Sequence, residues 1–550
     1  MSLHPEPIGP VPEETARVAR AAFPKGNAYL RLRDELGGVY EDRAFAALSP
    51  VRGQPAEAPW RLALVSALQF AEGLSDRQAA DAVRGRIDWK YALGLELTAP
   101  GFDASVLSEF RTRLVAGGQE LLLLDALLAR CTAAGLLKAG GRQRTDSTHV
   151  LAAIRILNRL ECVGATVRHA LNALATVAPE WLRPRLDPAW VQRYGARFDE
   201  FRLPTGTAAR QALAEAIGAD GFRLLGAVYA AETPGWLRSV PAVETLRRVW
   251  LQEYHAPGPD GGARWRASAD LPPASRMINS PHDPEARYSY KGSTSWTGYK
   301  VHLTERCDPD APHLLTHVET TPATTPDCNL LAPVHTALAR KELLPAEHVL
   351  DAGYVDSEEV IRGRDEFGVV VVGPVPPDNS WQARAGQGFD IASFALDWDA
   401  RRASCPRGAT SVKWSATHDK RGGDAINIRF PPAACRACPD RARCTSRSDG
   451  GPREITVRPR AQHEALQAAR QHQTTAAFTA AYDARAGVEA TFSQALRVCG
   501  LRRARYVGLA KTRLQHVLIA AGLNVRRLSA WWDERPFAPT RRAAFLALVA

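Results

Sequence analysis

Acidic residues are missing from one long stretch of this 550-residue chain: none lies between Glu489 and Asp533, while Arg497, Arg502, Arg503, Arg505, Lys511, Arg513, Arg526 and Arg527 place eight cations there. A solvated helix face normally mixes signs, so an acid-free run points to a polyanionic partner. Lysine is also scarce, with nine among the 70 basic residues. Arginine suits bidentate phosphate contact, but an Arg- and Ala-rich chain equally reflects base composition, so only the sign of the charge is used. That sign is +11, with a pI near 9.3, and it favours a nucleic acid by steering and counterion release. No run of 18 or more apolar residues is free of charge, and the opening MSLHPEPIGPVPEETARVAR has no apolar core. Neither a membrane span nor a secretory signal is expected, and the expected location is cytoplasmic.

With 45% hydrophobic residues, a chain of this length can bury several cores. Residues 1–25 are Pro-rich and read as a loose arm. Residues 26–130 read as a helical N-terminal domain. Gly73 ends the helix in APWRLALVSALQFAEGL, and SDRQ starts another with Ser75 as N-cap and Gln78 at the capping-box position. Short helices with tight turns suit either a helix-turn-helix reader of DNA ends or a plain bundle.

Residues 131–150 supply a first strand. Residues 151–285 read as a mostly helical insertion ending in the loop HAPGPDGGARW. Residues 286–374 alternate strands and helices as an α/β sheet, including TSWTGYKVHLTER, HLLTHVETT, a helix capped by Asp327, and VVVVGPV. Residues 375–460 form a Cys-rich insertion, 461–530 return as helices with a basic surface, and 531–550 are a tail. The expected fold class is multi-domain α/β.

Two carboxylates stand out at strand ends. HVLDAGYVD stops a short apolar run at Asp351 and turns through Gly353, and open α/β sheets bind ligands at that edge. The plain alternative is a cap for the following helix. GRQRTDSTHV strands a second acid, Asp146. In AAYDARAGVEATF, Tyr482, Arg485 and Glu489 fall at i, i+3 and i+7 of one helix, which alone describes an ordinary ion pair. Leu514, Leu518, Ala521 and Val525 form an apolar stripe that would leave the basic side of their helix outward.

Cys405, Cys435, Cys438 and Cys444 are spaced like a four-thiolate structural zinc site that staples a loop-rich insert, with free thiols as the alternative. The other cysteines sit in apolar segments and read as core residues.

RTDST, HVLDAGY and YDARAGVEATF resemble, in order, the three acidic signatures of the DDE transposases of bacterial insertion sequences, and the N-terminal helices and four-Cys insert resemble one long-chain branch of these elements. The resemblance implies a ribonuclease H-like catalytic core, with Asp146, Asp351 and Glu489 as catalytic ligands of two Mg²⁺ (or Mn²⁺) ions and Asp146 bridging them. It implies a protein that binds double-stranded DNA at the element's terminal inverted repeats and at a target. Cleavage and strand transfer would be catalysed by a homodimer in the DNA complex, on the nucleoid of a bacterial cytoplasm. Tyr482, Arg485, Arg497, Arg502, Arg503, Arg505 and Lys511 are the expected DNA contacts. Where the family signature often continues with Lys seven residues after the Glu, this chain has Leu496, and the nearest cation is Arg497. The alternatives are a non-catalytic DNA-binding derivative of a transposase and a metal-dependent nuclease that transfers no strand.

Overall fold

A computed structural model describes residues 3, 5, 7–48, 52–53, 57–199, 203–257, 262–419 and 422–535. The C-terminal tail beyond 535 and the centre of the 256–265 loop lie outside these residues.

The N-terminal segment is helical from Glu13 onward: α1 (Glu13–Ala22), α2 (Ala28–Leu36), α3 (Pro59–Glu72), α4 (Asp76–Gly85), α5 (Ile87–Ala92), α6 (Ser105–Ala116) and α7 (Leu122–Ala133). The expected loose arm over 1–25 contains an ordered helix at Glu13–Ala22. Thr15 and Ala19 of α1 are buried, and the Thr15 hydroxyl donates to the Leu95 carbonyl at 2.8 Å, which pins the helix to the bundle. The reading of Ser75 and Gln78 as a capping box matches the bonds made at the start of α4.

β1 (Arg142–Leu151) follows, then the insertion with α8 (Arg159–Val177), α9 (Pro179–Leu182), α10 (Pro188–Tyr194), α11 (Thr207–Tyr229) and α12 (Pro241–Glu253). These helices close around their own core, which includes Val163, Leu174, Trp190, Ile217 and Trp250. Gly218 and Gly221 of α11 let α12 approach, since a Cβ on Gly221 would lie 2.0 Å from the Trp250 ring.

The sheet resumes with β2 (Arg287–Lys291), β3 (Thr294–Arg306) and β4 (Leu315–Pro322), then α13 (Leu331–Arg340), β5 (Glu347–Leu350), α14 (Ser357–Phe367) and β6 (Val370–Val372). Its order is β2-β3-β1-β5-β6, with β4 also on β3. β3 runs antiparallel to β1, while β5 is parallel to β1 and β6 to β5. At Gly298, β3 meets Leu151 of β1 and Arg287 of β2, so β2 and β4 succeed each other along the edge of β3 opposite β1.

Next come α15 (Trp381–Arg384) and the short strands β7 (Ala395–Asp397), β8 (Arg402–Ser404), β9 (Lys413–His418) and β10 (Asp424–Arg429). They are followed by α16 (Pro432–Arg436), α17 (Arg441–Cys444) and β11 (Glu454–Val457). This unit has a small core of its own around Phe394, Ile428, Phe430 and Ile455. The chain then forms α18 (Arg460–His472), α19 (Ala476–Tyr482), α20 (Gly487–Cys499) and α21 (Leu509–Trp532).

α21 corrects two expectations. Every residue from Leu514 to Val525 is buried, because α3 packs on one side and the sheet on the other. A Cβ on Gly522 would lie 2.6 Å from the Ala71 amide, which shows how close α3 comes. The single apolar stripe is therefore too narrow a description. Polar residues of the helix are buried and bonded: Asn524 exchanges two hydrogen bonds with the Leu315 backbone, and His516 meets Thr320 at 2.8 Å. The N-terminal helices, α21 and the sheet consequently share one continuous core, so residues 26–130 are not packed as a separate domain.

Candidate active site

Strand register brings the first two carboxylates together. Thr145 of β1 pairs with Leu350 of β5, so the next residue on each chain, Asp146 and Asp351, stands beside the other on neighbouring parallel strands. Their separation of 205 positions in sequence is thus closed by one ladder. Burial pushes the Asp146 carboxyl above its ordinary range, against the Ser147 amide and the Arg485 guanidinium, which favour its charged form.

Glu489 arrives on a different element. The single helix expected to carry Tyr482, Arg485 and Glu489 is interrupted: α19 stops at Tyr482, a 3-10 turn covers Asp483–Ala486, and α20 restarts at Gly487. The cause is Arg144, which shares a face of β1 with Asp146. Its guanidinium donates to Glu305 at 2.7 Å and to the Ala484 carbonyl at 2.5 Å. A Cβ on Gly487 would lie 2.1 Å from that guanidinium.

The turn aims Arg485 between the acids. Its Nη2 donates to Asp146 Oδ2 at 3.0 Å and lies 3.9 Å from Asp351 Oδ1, while Nη1 lies 3.9 Å from Glu489 Oε1. The pocket is graded in exposure: the Asp146 side chain is 12% exposed, Asp351 34% and Glu489 74%. Among the described residues no set of three or more His, Cys, Asp or Glu is closed around a metal position. A guanidinium stands among these three acids instead. Three hard oxygen donors around one cation carry excess negative charge, a donor set that suits Mg²⁺ or Mn²⁺.

A fourth carboxylate belongs to this neighbourhood and escaped the reading of the sequence. Asp327 makes no capping bond. It receives Lys300 Nζ at 2.5 Å and the Ser147 hydroxyl at 3.3 Å, and a Cβ on Gly353 would come within 3.4 Å of it. It thereby bonds to the residue after Asp146 and lies against the turn after Asp351. An Asp at a helix start looks like a cap in any sequence, so only the fold could reveal this role.

The expected DNA contacts divide. Arg502 donates to the Thr148 hydroxyl at 2.8 Å, two residues from Asp146 on the same strand face, and Arg503 is exposed beside Leu151. Arg497 and Lys511 are exposed. Arg505 lies over the Phe70 ring at 4.6 Å and donates to the Leu74 carbonyl, which ties it to the N-terminal helices. Tyr482 stacks on Phe478 with ring centroids 5.5 Å apart. The rest of the basic stretch does not face outward as a whole. Arg513 pairs with Glu319, Arg526 donates to the Ala71 carbonyl, and Arg527 pairs with the buried Glu305.

In the 375–460 unit, Cys405, Cys435, Cys438 and Cys444 line one cleft of about 140 Å³, floored by Phe394 and Phe430. Burial raises the Cys444 thiol, and the charges of the other three cysteines act in the same direction. The four sulfurs share a cleft without being drawn in to metal-ligand geometry. Of the other cysteines, Cys131, Cys162 and Cys499 are buried, while Cys307 and Cys328 are half-buried.

Residues 404–529 match the family described as Transposase DDE domain, and residues 17–113 match a Transposase domain (DUF772). The two matches support a DDE transposase of an insertion sequence. The first match takes in the four cysteines, Glu489 and the basic stretch, and the second covers α2, α3 and most of α6, which pack on α21. Asp146 and Asp351 lie outside both. No curated protein matches the transposase. Among its described residues no helix is long and apolar enough to cross a membrane.

Proposed function

We propose that this transposase binds the terminal inverted repeats of its element, cleaves them, and joins the ends to a target, with Asp146, Asp351 and Glu489 as metal-holding catalytic residues on a ribonuclease H-like core. The observation that carries the reading is the meeting of three acids from distant segments around one guanidinium. The strand order supports the core assignment: β1 is central, β3 antiparallel on one side, β5 and β6 parallel on the other.

When bound, two divalent ions supply Lewis-acid stabilisation to the attacking and leaving oxygens of an in-line phosphoryl transfer. β1 and β5 fix the spacing of Asp146 and Asp351, and the Asp327–Lys300 pair lies against the turn that follows Asp351. Glu489, on the exposed rim, completes the set from α20. Arg485 balances the carboxylates and is placed to take a DNA phosphate in exchange. Arg502 and Arg503 continue the positive surface along β1. Joining two ends calls for two copies in the complex.

The test is a joining assay with purified protein, duplexes carrying the DNA that flanks the element's coding region, and Mg²⁺. Joined products are expected. Nicked ends that are never joined would favour a nuclease, and binding without nicking would favour a non-catalytic derivative.

We further propose that Cys405, Cys435, Cys438 and Cys444 hold one Zn²⁺ that folds the insert and takes no part in the chemistry. The unit's core is small, and a metal staple compensates for that. Metal analysis under reducing conditions is expected to find about one zinc per chain. Cys438→Ser should lower that content and open 375–460 to proteolysis first. Protein that is folded and free of zinc would refute the assignment.

A further inference from the structure

The 151–285 insertion meets the core at a cleft of about 250 Å³, in line with the strand that carries Asp146. The chain leaves β1 at Leu151, and Ala153, Ile154, Arg155 and Leu157 form one wall of this cleft. Arg168 of α8 and Arg197 form another, His282 comes from the return toward β2, and Val507 comes from the loop that bears Arg502, Arg503 and Arg505.

The cleft is cationic above an apolar floor. Arg155 is balanced by Glu161 at 2.6 Å and Asp199 at 3.5 Å. Arg168 gives its Nε only to the Tyr194 carbonyl, and among the described residues no carboxylate pairs with it or with the exposed Arg197. The His282 imidazole is held below its ordinary range, first by burial and then by Arg168, Arg197 and Arg155, so the three guanidinium groups act on one place. Beneath them lie Ile154 and Phe198, with the half-exposed Val507 at the mouth.

A cationic rim over an apolar floor matches the sugar-phosphate backbone of DNA, whose phosphates take guanidinium donors while the deoxyribose meets aliphatic and aromatic surface. The position adds a register. β1 runs extended from Asp146 to Leu151, five residues or roughly 17 Å at about 3.3 Å per residue, before the chain bends into the cleft at Ala153. That distance is about five nucleotide steps at roughly 3.4 Å each, and the cleft lies beyond its end. Arg502 at Thr148 and Arg503 beside Leu151 stand between the two ends of this path.

We propose that the insertion is a DNA grip: its cleft holds the duplex backbone of the element end more than about five nucleotides from the phosphodiester presented to Asp146. The inference rests on the transposase reading above and assigns the insertion its part in it.

Hydroxyl-radical footprinting of the full-length protein on an end duplex tests it, using Arg197→Glu and Val507→Glu. Both positions are exposed, and neither side chain holds the fold together. Arg183→Glu, on the outer surface of the insertion and 71% exposed, controls for a general charge effect. The two cleft variants are expected to lose protection over about two or three nucleotides beyond about the fifth. Protection at the cut should remain, and binding should weaken roughly three- to tenfold with a salt slope lower by about one. The control should keep the full footprint.

An unchanged footprint in both cleft variants would overturn the grip alone. Equal weakening by Arg183→Glu would also overturn it, in favour of diffuse attraction. If the wild-type protein protects no duplex, the transposase reading fails and the grip with it.

Discussion

Glu489→Gln is expected to remove Mg²⁺-dependent nicking by on the order of a hundredfold or more while leaving end binding within about twofold. The substitution deletes a charge and nearly preserves shape, at a side chain that is 74% exposed and holds no core contact. Folding therefore has little stake in it, and the loss must come from the chemistry. Asp146→Asn should lose nicking as fully, but its buried position makes a stability measurement a necessary companion. The reverse pattern is expected from replacing Arg502 and Arg503 together: nicking at saturating DNA persists, and the salt slope of binding falls by up to about two. Arg505 is left out of that pair because its guanidinium packs on Phe70, so removing it also costs packing. Gel-shift titrations across salt and a nicking time course on one end substrate separate the two classes. A Glu489→Gln protein that nicks at the normal rate would show that the acid is half of an ordinary ion pair with Arg485.

Much of the site was legible because its signals are local. A short apolar run that stops at Asp351, a second stranded acid at Asp146, and a spaced Tyr, Arg and Glu can each be read from a dozen residues. What could not be read depends on partners far away in the chain. Nothing near Gly487 announces that Arg144, over 300 positions earlier, crosses there and breaks the helix. Nothing near Asp327 announces Lys300 and Ser147. Charge was the most misleading signal. The acid-free stretch reads as one basic surface, yet its acids are supplied by other elements: Glu319 for Arg513 and Glu305 for Arg527. Helical periodicity failed in the same way on α21, where Gln515, His516 and Asn524 look like a wet face and are buried with partners from the sheet and from the loop before the helix.

Arg527→Met should be the most destabilising change on α21, costing roughly 3–5 kcal/mol. Glu305 is fully buried on β3 and receives Arg527 at 2.6 Å, Arg144 at 2.7 Å and the Thr491 hydroxyl at 2.6 Å. One carboxylate thus joins β1, β3, α20 and α21. Burial alone would raise its pKa; Arg527 and Arg144 outweigh burial and hold it below the ordinary Glu range. A depressed carboxylate contributes stability that is present above the unfolded-state value of about 4.3 and is lost as pH falls through the folded value. Without Arg527 that carboxylate ionises less readily, so the acid-unfolding midpoint should move up in pH as well. Arg513→Met is the matched control. It removes the same charge from the same helix, but its pair with Glu319 is about a third exposed on the arginine side, and about 1 kcal/mol or less is expected. Urea unfolding of both variants at pH 7, followed by acid titration, decides the matter. Equal losses would mean that helix charge in general, and not the Glu305 junction, holds α21 against the sheet. A large loss confined to Arg527→Met would assign that hold to the Glu305 junction, which reaches α20 through Thr491, two residues from Glu489.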